Sequence, residues 1–551
     1  MTASPLLAVD DLAVEFETAH GPVSALQGVS FSLAPGEVLG IVGESGSGKT
    51  VACRSVMRLL SPNARILGGR IAFEGRDMLA LDQRELGRVR GERIAMIFQN
   101  PSTHLDPLMT VGRQVGEALQ AHHGVAAAEA RRQSIALLAD MRIPEPERRV
   151  DSYAHQLSGG MRQRVMIAAA LACKPSLLLA DEPTTALDVT VQAQILDLLK
   201  RLRRERGLSI VLVSHDLGVV AQMCDSVVVM KDGKVVESGA VADIIERPRM
   251  EYTQRLIASQ PALMSPASSE THAGDPILSL DNLSVHFPQS RGIGALLAGR
   301  ARHVVRAVDG VSLTVARGET LGIVGESGSG KSTIARAIVG LAPTHSGGIA
   351  FAGESVAGLS GADRVRFRRA VQMVFQDPFT SLNPAFTVAQ TLAEPLRQHR
   401  LCKPTQIAAR VAELMRKVEL PVELLTRRSG QLSGGQRQRV GIARALALEP
   451  QLIIADEVTS ALDVTIQAQI LGLFKRLREV MNLSLVLISH DLAVVRHLCE
   501  RVAVMRHGRL VEYGTTADIF DAPREAYTRE LLAAIPRITQ PSPADSATGI
   551  A

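Results

Sequence analysis

The sequence predicts an α/β protein built from two tandem copies of one P-loop domain, and three observations carry that expectation. An octapeptide, Gly43, Glu44, Ser45, Gly46, Ser47, Gly48, Lys49 and Thr50, returns as Gly325, Glu326, Ser327, Gly328, Ser329, Gly330, Lys331 and Ser332. Each copy follows a short apolar run (38–42 and 321–324) and precedes an alanine-bearing stretch of helical character. Downstream, a series of short phrases recurs in the same order in both halves.

The octapeptides fit G-x-x-x-x-G-K-[ST], a pattern that chance produces about once in tens of thousands of positions at average residue usage. Two matches in matching contexts exclude accident. A buried strand that drops into a glycine loop and then a helix turns N–H groups and a positive helix end toward phosphate. Lys49 and Lys331 are candidates for the β- and γ-phosphates, and the hydroxyls of Thr50 and Ser332 for Mg²⁺.

Composition bounds the rest. At 551 residues the chain is too long for one compact core. It is 46% hydrophobic and 21% charged with a formal charge of +5, an ordinary soluble profile with a mildly basic surface. Cys53, Cys173, Cys224, Cys402 and Cys499 form no C-x-x-C pair, which argues against a zinc module or a disulfide framework. Cys224 and Cys499, at matched positions, read as small core residues. The first ten residues lack a basic region and a long apolar core, so no secretory signal is expected. No stretch approaches 18 uncharged apolar residues. The arginine clusters at 131–132, 148–149, 201–206 and 364–369 read as solvated helix faces.

In chain order, β-rich segments at 12–16 and 25–33 end at the Pro35-Gly36 turn, and 283–287 and 307–313 repeat them before Arg317-Gly318. The offset between copies is 331 − 49 = 282 at the lysines and 457 − 182 = 275 at the acidic pairs, a difference of seven residues read as loop-sized. The expected division is a first domain over 1–258, a Pro/Ser/Ala-rich linker over 259–276, a second domain over 277–538 and a disordered tail over 539–551. A Gly- and Arg-containing insertion is expected over 288–303. Gln99 and Gln376 fall at strand ends. Ser158-Gly159-Gly160 and Ser433-Gly434-Gly435 open helices, where free N–H groups favour an anion. Apolar strands deliver Asp181-Glu182 and Asp456-Glu457, then His215 and His490, while Ala186-Leu-Asp188 answers to Ala461-Leu-Asp463. The glutamines, the Asp-Glu pairs and the histidines belong at the carboxyl edge of an open sheet, where such folds bind ligands.

The ordered set, present twice, resembles the ATP-binding cassette (ABC) ATPases: Walker A, Q-loop, LSGGQ signature, Walker B, D-loop and switch histidine. More narrowly it is similar to the importer ATPases of the peptide, nickel and opine group, through residues 101–107 and 378–384, the stretches from Ala186 and Ala461, and Tyr252-Thr and Tyr527-Thr. The resemblance implies a RecA-like core, an antiparallel β-subdomain and a helical subdomain in each half.

It also implies roles. Asp181 and Asp456 hold Mg²⁺ with Thr50 and Ser332, and Gln99 and Gln376 are further metal candidates that sense the nucleotide. Glu182 and Glu457 polarise the attacking water, His215 and His490 contact the γ-phosphate, and Phe16 and Phe287 stack on adenine. Head-to-tail cassettes would share each ATP between one P-loop and the other half's Ser158, Gly159 and Gly160 or Ser433, Gly434 and Gly435. The implied partners are two transmembrane permease subunits and an extracytoplasmic solute-binding protein, at the cytoplasmic face of the inner membrane, with no nucleic acid. Met161 stands where the signature has Gln, and Val458 where the first half has Pro183, yet no catalytic group is lost, so two competent sites are expected. No cysteine follows either cassette, so no iron–sulfur centre is expected.

A paired-cassette ATPase of ribosomes or nucleic acid is the main alternative. A long charged arm between the cassettes, inserted zinc cysteines or a coiled coil before the signature would mark it, and none is present. An adenylate-type kinase would have no use for two signatures. The subgroup likeness favours di- or oligopeptides as the solute, with nickel, opines, glutathione and sugars open.

Overall fold

The computed structural model describes residues 4–18, 21–184, 187–267, 275–288, 304–459 and 462–536. The expected tail, nearly all of the 288–303 insertion, Ala186 and Ala461 lie outside these residues. The chain forms two compact units, which divide between Leu263 and Met264; residues 188–190 group with the second and Pro536 with the first.

In the first unit, β1 (Leu7–Thr18), β2 (Gly21–Leu33), β4 (Ala64–Phe73) and β5 (Arg76–Asp77) make an antiparallel sheet in the order β2-β1-β4-β5. The second sheet contains β3 (Val38–Val42), β6 (Ile94–Ile97), β7 (Leu177–Asp181), β8 (Ser209–Val213), β9 (Ser226–Lys231) and β10 (Lys234–Ala240). Its order is β10-β9-β3-β8-β7-β6, parallel except for β10. The parallel strands are covered on both faces, so they read as unbroken apolar runs. Leu39, Ile41, Leu177, Leu179, Val211 and Val213 pack with the antiparallel sheet and the P-loop helix (Lys49–Val56). Leu178, Ala180, Ile210 and Leu212 pack on the other face, against the signature helix (Gly159–Ala170) and the helix Val189–Arg206. That split is the period of two expected of a strand. Helices Val111–His123 and Ala127–Asp140 add the helical subdomain.

The second unit repeats this plan. Strands β11 (Pro276–Pro288), β12 (Val304–Ala316), β14 (Ser346–Phe351) and β15 (Glu354–Ser355) pair in the order β12-β11-β14-β15. Strands β13 (Thr320–Val324), β16 (Val371–Val374), β17 (Leu452–Asp456), β18 (Ser484–Ile488), β19 (Arg501–Arg506) and β20 (Arg509–Thr515) follow the order β16-β17-β18-β13-β19-β20.

Three expectations are corrected. The opening strands are longer than 12–16 and 25–33, because a bulge between Val9 and Leu12 absorbs the Asp10-Asp11 pair that breaks the alternation. The seven-residue difference is not one loop. The offset falls from 282 at the lysines to 351 − 73 = 278 at the paired strand ends Phe73 and Phe351, so four of the seven residues lengthen β4. The 201–206 cluster is not merely solvated: Arg201 and Arg206 pair with Asp140, and Arg203 with Asp225.

Candidate functional site

The phosphate end is built at the mouth of β3. Gly43, Gly46 and Gly48 have φ of 153°, 79° and 99°. A Cβ on Gly43 would lie 2.2 Å from the Met230 carbonyl oxygen, and one on Gly48 2.7 Å from Leu26 Cδ2, so neither position admits a side chain. Lys49 folds back under the loop, its Nζ donating to the carbonyls of Gly43 (2.8 Å) and Glu44 (2.7 Å). Lys331 does the same to Gly325 (2.7 Å) and Glu326 (2.8 Å). Burial pulls the Lys331 ammonium below its ordinary value, against the pull of Glu457 and other carboxylates. The N–H groups of Gly46, Gly48, Gly328 and Gly330 find no acceptor among the described residues, and the buried hydroxyls of Ser47 and Ser329 find no partner there either. Unspent donors over a buried cation suit a polyanion.

Beside this cradle Thr50 Oγ1 donates to Asp181 Oδ1 at 2.9 Å, and Ser332 Oγ to Asp456 Oδ1 at the same distance. Burial raises both aspartates above their ordinary value, with the hydroxyl bonds opposing it. Asp181 Oδ2 is buried without a partner among the described residues. A buried carboxylate oxygen next to a hydroxyl, with phosphate oxygens to complete the set, fits the hard-oxygen preference of Mg²⁺.

Register places the remaining groups. Asp181 lies beside Val213 and Ile41 beside Val213, so β3, β7 and β8 end level. The residues just past those ends meet. Gln99 Nε2 donates to Glu182 Oε2 at 2.7 Å, and His215 Nδ1 lies 3.4 Å from Glu182 Oε1. In the second half Gln376 Nε2 donates to Glu457 Oε2 at 2.7 Å, with His490 Nδ1 3.5 Å from the same oxygen. Glu182 and Glu457 adopt left-handed φ of 48° and 46°. Burial works against charge on both members of the second pair, but their mutual attraction outweighs it. Glu457 is held below and His490 above its ordinary value.

The signatures cap their helices. Met161 N–H donates to Ser158 Oγ at 3.3 Å. In the second copy Gln436 N–H donates to Ser433 Oγ (3.3 Å) and Ser433 N–H returns a bond to Gln436 Oε1 (3.0 Å). A Cβ on Gly160 would press on Val191 and one on Gly435 on Ile466, while Gly159 has open space and Gly434 only ordinary contact. Phe16 is half-buried against the core of the first unit, and Phe287 is 39% exposed.

Two residues that the sequence singled out, but without a role at the site, reach it. Glu44 N–H donates to Tyr252 Oη at 3.1 Å, and Glu326 N–H to Tyr527 Oη at 3.3 Å. The repeated Tyr-Thr after each half was the available signal.

Residues 26–185 and 308–460 match the family described as ABC transporter. The chain belongs to the ABC transporter family. It is an ABC ATPase with two cassettes, each followed by a segment that matches the oligopeptide/dipeptide transporter C-terminal region, residues 236–284 and 511–550. This ABC protein is 46% identical over 533 residues to the peptidoglycan transport ATP-binding protein YejF of Agrobacterium fabrum, covering 96% of each chain. It is 44% identical over 564 residues to the glutathione import ATP-binding protein GsiA of Pectobacterium atrosepticum, covering 97% of this chain and 90% of the relative. For GsiA of Escherichia coli K12 the identity is 43% over 576 residues, with 98% and 91% covered. No helix among the described residues of this ABC protein is long and apolar enough to cross a membrane.

Proposed function

We propose that this ABC ATPase energises import of a short peptide or peptide-bearing solute through two permease subunits supplied by a solute-binding protein, from the cytoplasmic face of the inner membrane. The observation that carries this reading is the oligopeptide/dipeptide C-terminal region behind both cassettes. The relatives' names support it, since glutathione is a tripeptide and peptidoglycan carries peptide.

In this reading Lys49 and Lys331 bind the β- and γ-phosphates. Thr50 with Asp181, and Ser332 with Asp456, hold Mg²⁺, which when bound offsets the charge of the phosphates. Glu182 and Glu457 orient the attacking water and polarise its O–H, while Gln99 and Gln376 hold the glutamate and His215 and His490 steady its charge. Ser158 and Ser433, with the N–H groups behind them, meet γ-phosphate in the closed state. Phe16 and Phe287 flank adenine. The chemistry is positioning and charge stabilisation of transfer to water, and its coupling to closure drives transport.

Tagged protein captured from gently solubilised membranes of the native host should bring down two multi-spanning proteins, identified by mass spectrometry. The binding protein that serves them should take up di- to oligopeptides or glutathione in a thermal-shift screen. Capture of ribosomal or DNA-bound proteins with no membrane partner would refute the transport reading, and a binding protein selective for nickel would refute the peptide one.

A further inference from the structure

Behind each cassette the chain enters a short helix, Glu251–Ala258 in the first half and Ala526–Ala533 in the second, and the second residue of each is a tyrosine. Each ring rests on a cation from the end of a sheet strand. Lys231 Nζ lies 5.0 Å from the centroid of the Tyr252 ring, and the Arg506 guanidinium carbon 4.4 Å from that of Tyr527. Each hydroxyl then accepts the N–H of the second P-loop residue, Glu44 or Glu326. Burial pushes the Tyr527 hydroxyl up to about 12, so it stays protonated and neutral at physiological pH.

The bonded group is one peptide unit used at both ends. The Gly43–Glu44 peptide donates its N–H to Tyr252 and offers its C=O, 2.8 Å away, to Lys49 Nζ. The Gly325–Glu326 peptide does the same between Tyr527 and Lys331. A peptide is planar, so fixing the N–H direction fixes the carbonyl that holds the lysine. Gly43 has no side chain to hold that plane otherwise, and at φ 153° its backbone is permissive.

We propose that Tyr252 and Tyr527 are positioning residues, which set the first P-loop peptide and through it the lysine that meets ATP. The segment behind each cassette thereby becomes part of the nucleotide site. This rests on the assignment of the two P-loops to ATP made above.

The test uses the full chain with Tyr252→Phe and Tyr527→Phe combined, which keeps both rings and their cation contacts and removes only the hydroxyls. Measured are the Kd of a non-hydrolysable ATP analogue with Mg²⁺, KM and kcat for ATP, and the unfolding midpoint without nucleotide. One neutral hydrogen bond lost from positioning should raise Kd and KM about 3- to 10-fold, with kcat at saturating ATP within about twofold and the midpoint little changed. Each single variant should show the weakened affinity at one of two sites. Unchanged Kd and KM in a folded variant would overturn the proposal. So would a variant that unfolds, since the tyrosines would then be structural anchors only. A wild-type chain that binds no analogue would overturn both the proposal and the ATP assignment beneath it.

Discussion

Glu457 sits in a backbone conformation that an L-residue adopts at a cost of about 1 kcal/mol, and Glu182 repeats it. The bonds from Gln376 and His490 hold the carboxylate there, as Gln99 and His215 do in the first half. The pair has a pH signature. His490 is raised, so its contribution is full below about pH 6.5 and fades as pH climbs through its higher folded value. Glu457 is lowered, so its contribution is full above about pH 4.3 and fades as pH falls through its lower folded value. The urea midpoint gap between wild type and His490→Gln should therefore be widest between about pH 4.3 and 6.5 and shrink by about pH 9. A gap that grows toward pH 9 would reverse the assignment. On the roles proposed for the two glutamates, Glu182→Gln and Glu457→Gln should each cut steady-state hydrolysis by about half or more, and together by at least about 100-fold. Full activity in one single variant would show unequal sites. These residues were legible because strand, loop and motif coincide in the sequence. Tyr252 was not: it lies 252 − 44 = 208 residues from its partner, in a helix whose local pattern says nothing about a P-loop.

Among the elements, the two signature helices differ at one position. Gln436 closes a reciprocal capping box with Ser433, whereas Met161 leaves Ser158 with a single cap bond. Met161→Gln should stabilise the first cassette by about 0.5–1 kcal/mol, and Gln436→Ala should destabilise the second by a similar amount. Urea unfolding followed by circular dichroism would read both, and a destabilising Met161→Gln would show that the two helix starts are not equivalent. The parallel strands were easy to read, since burial on both faces leaves only apolar residues. Strand extents were harder. Bulges hide a residue from the alternation, as at Asp10-Asp11, and nothing in composition reveals that β4 carries the extra four residues. The arginine pairs on Asp140 were equally hidden, because carboxylate and guanidinium come from separate helices.

At the scale of the whole molecule, each half buries its own cores, and among the described residues no cluster draws on both. Residues 1–263 expressed alone should thus unfold cooperatively and bind an ATP analogue, as titration and thermal melts would show; a fragment without a cooperative transition would make the halves one folding unit. The strand order adds a matter of timing. The two hydrogen-bonded neighbours of β3 are β8 and β9, and β9 begins 226 − 42 = 184 residues after β3 ends. At about 5–20 residues per second, synthesis takes about 10–40 s to cover that distance. Throughout that interval the strand that leads into the P-loop lacks its β9 neighbour. The sheet around the P-loop is therefore completed late in the synthesis of the first cassette, although the motif itself is among the first things made.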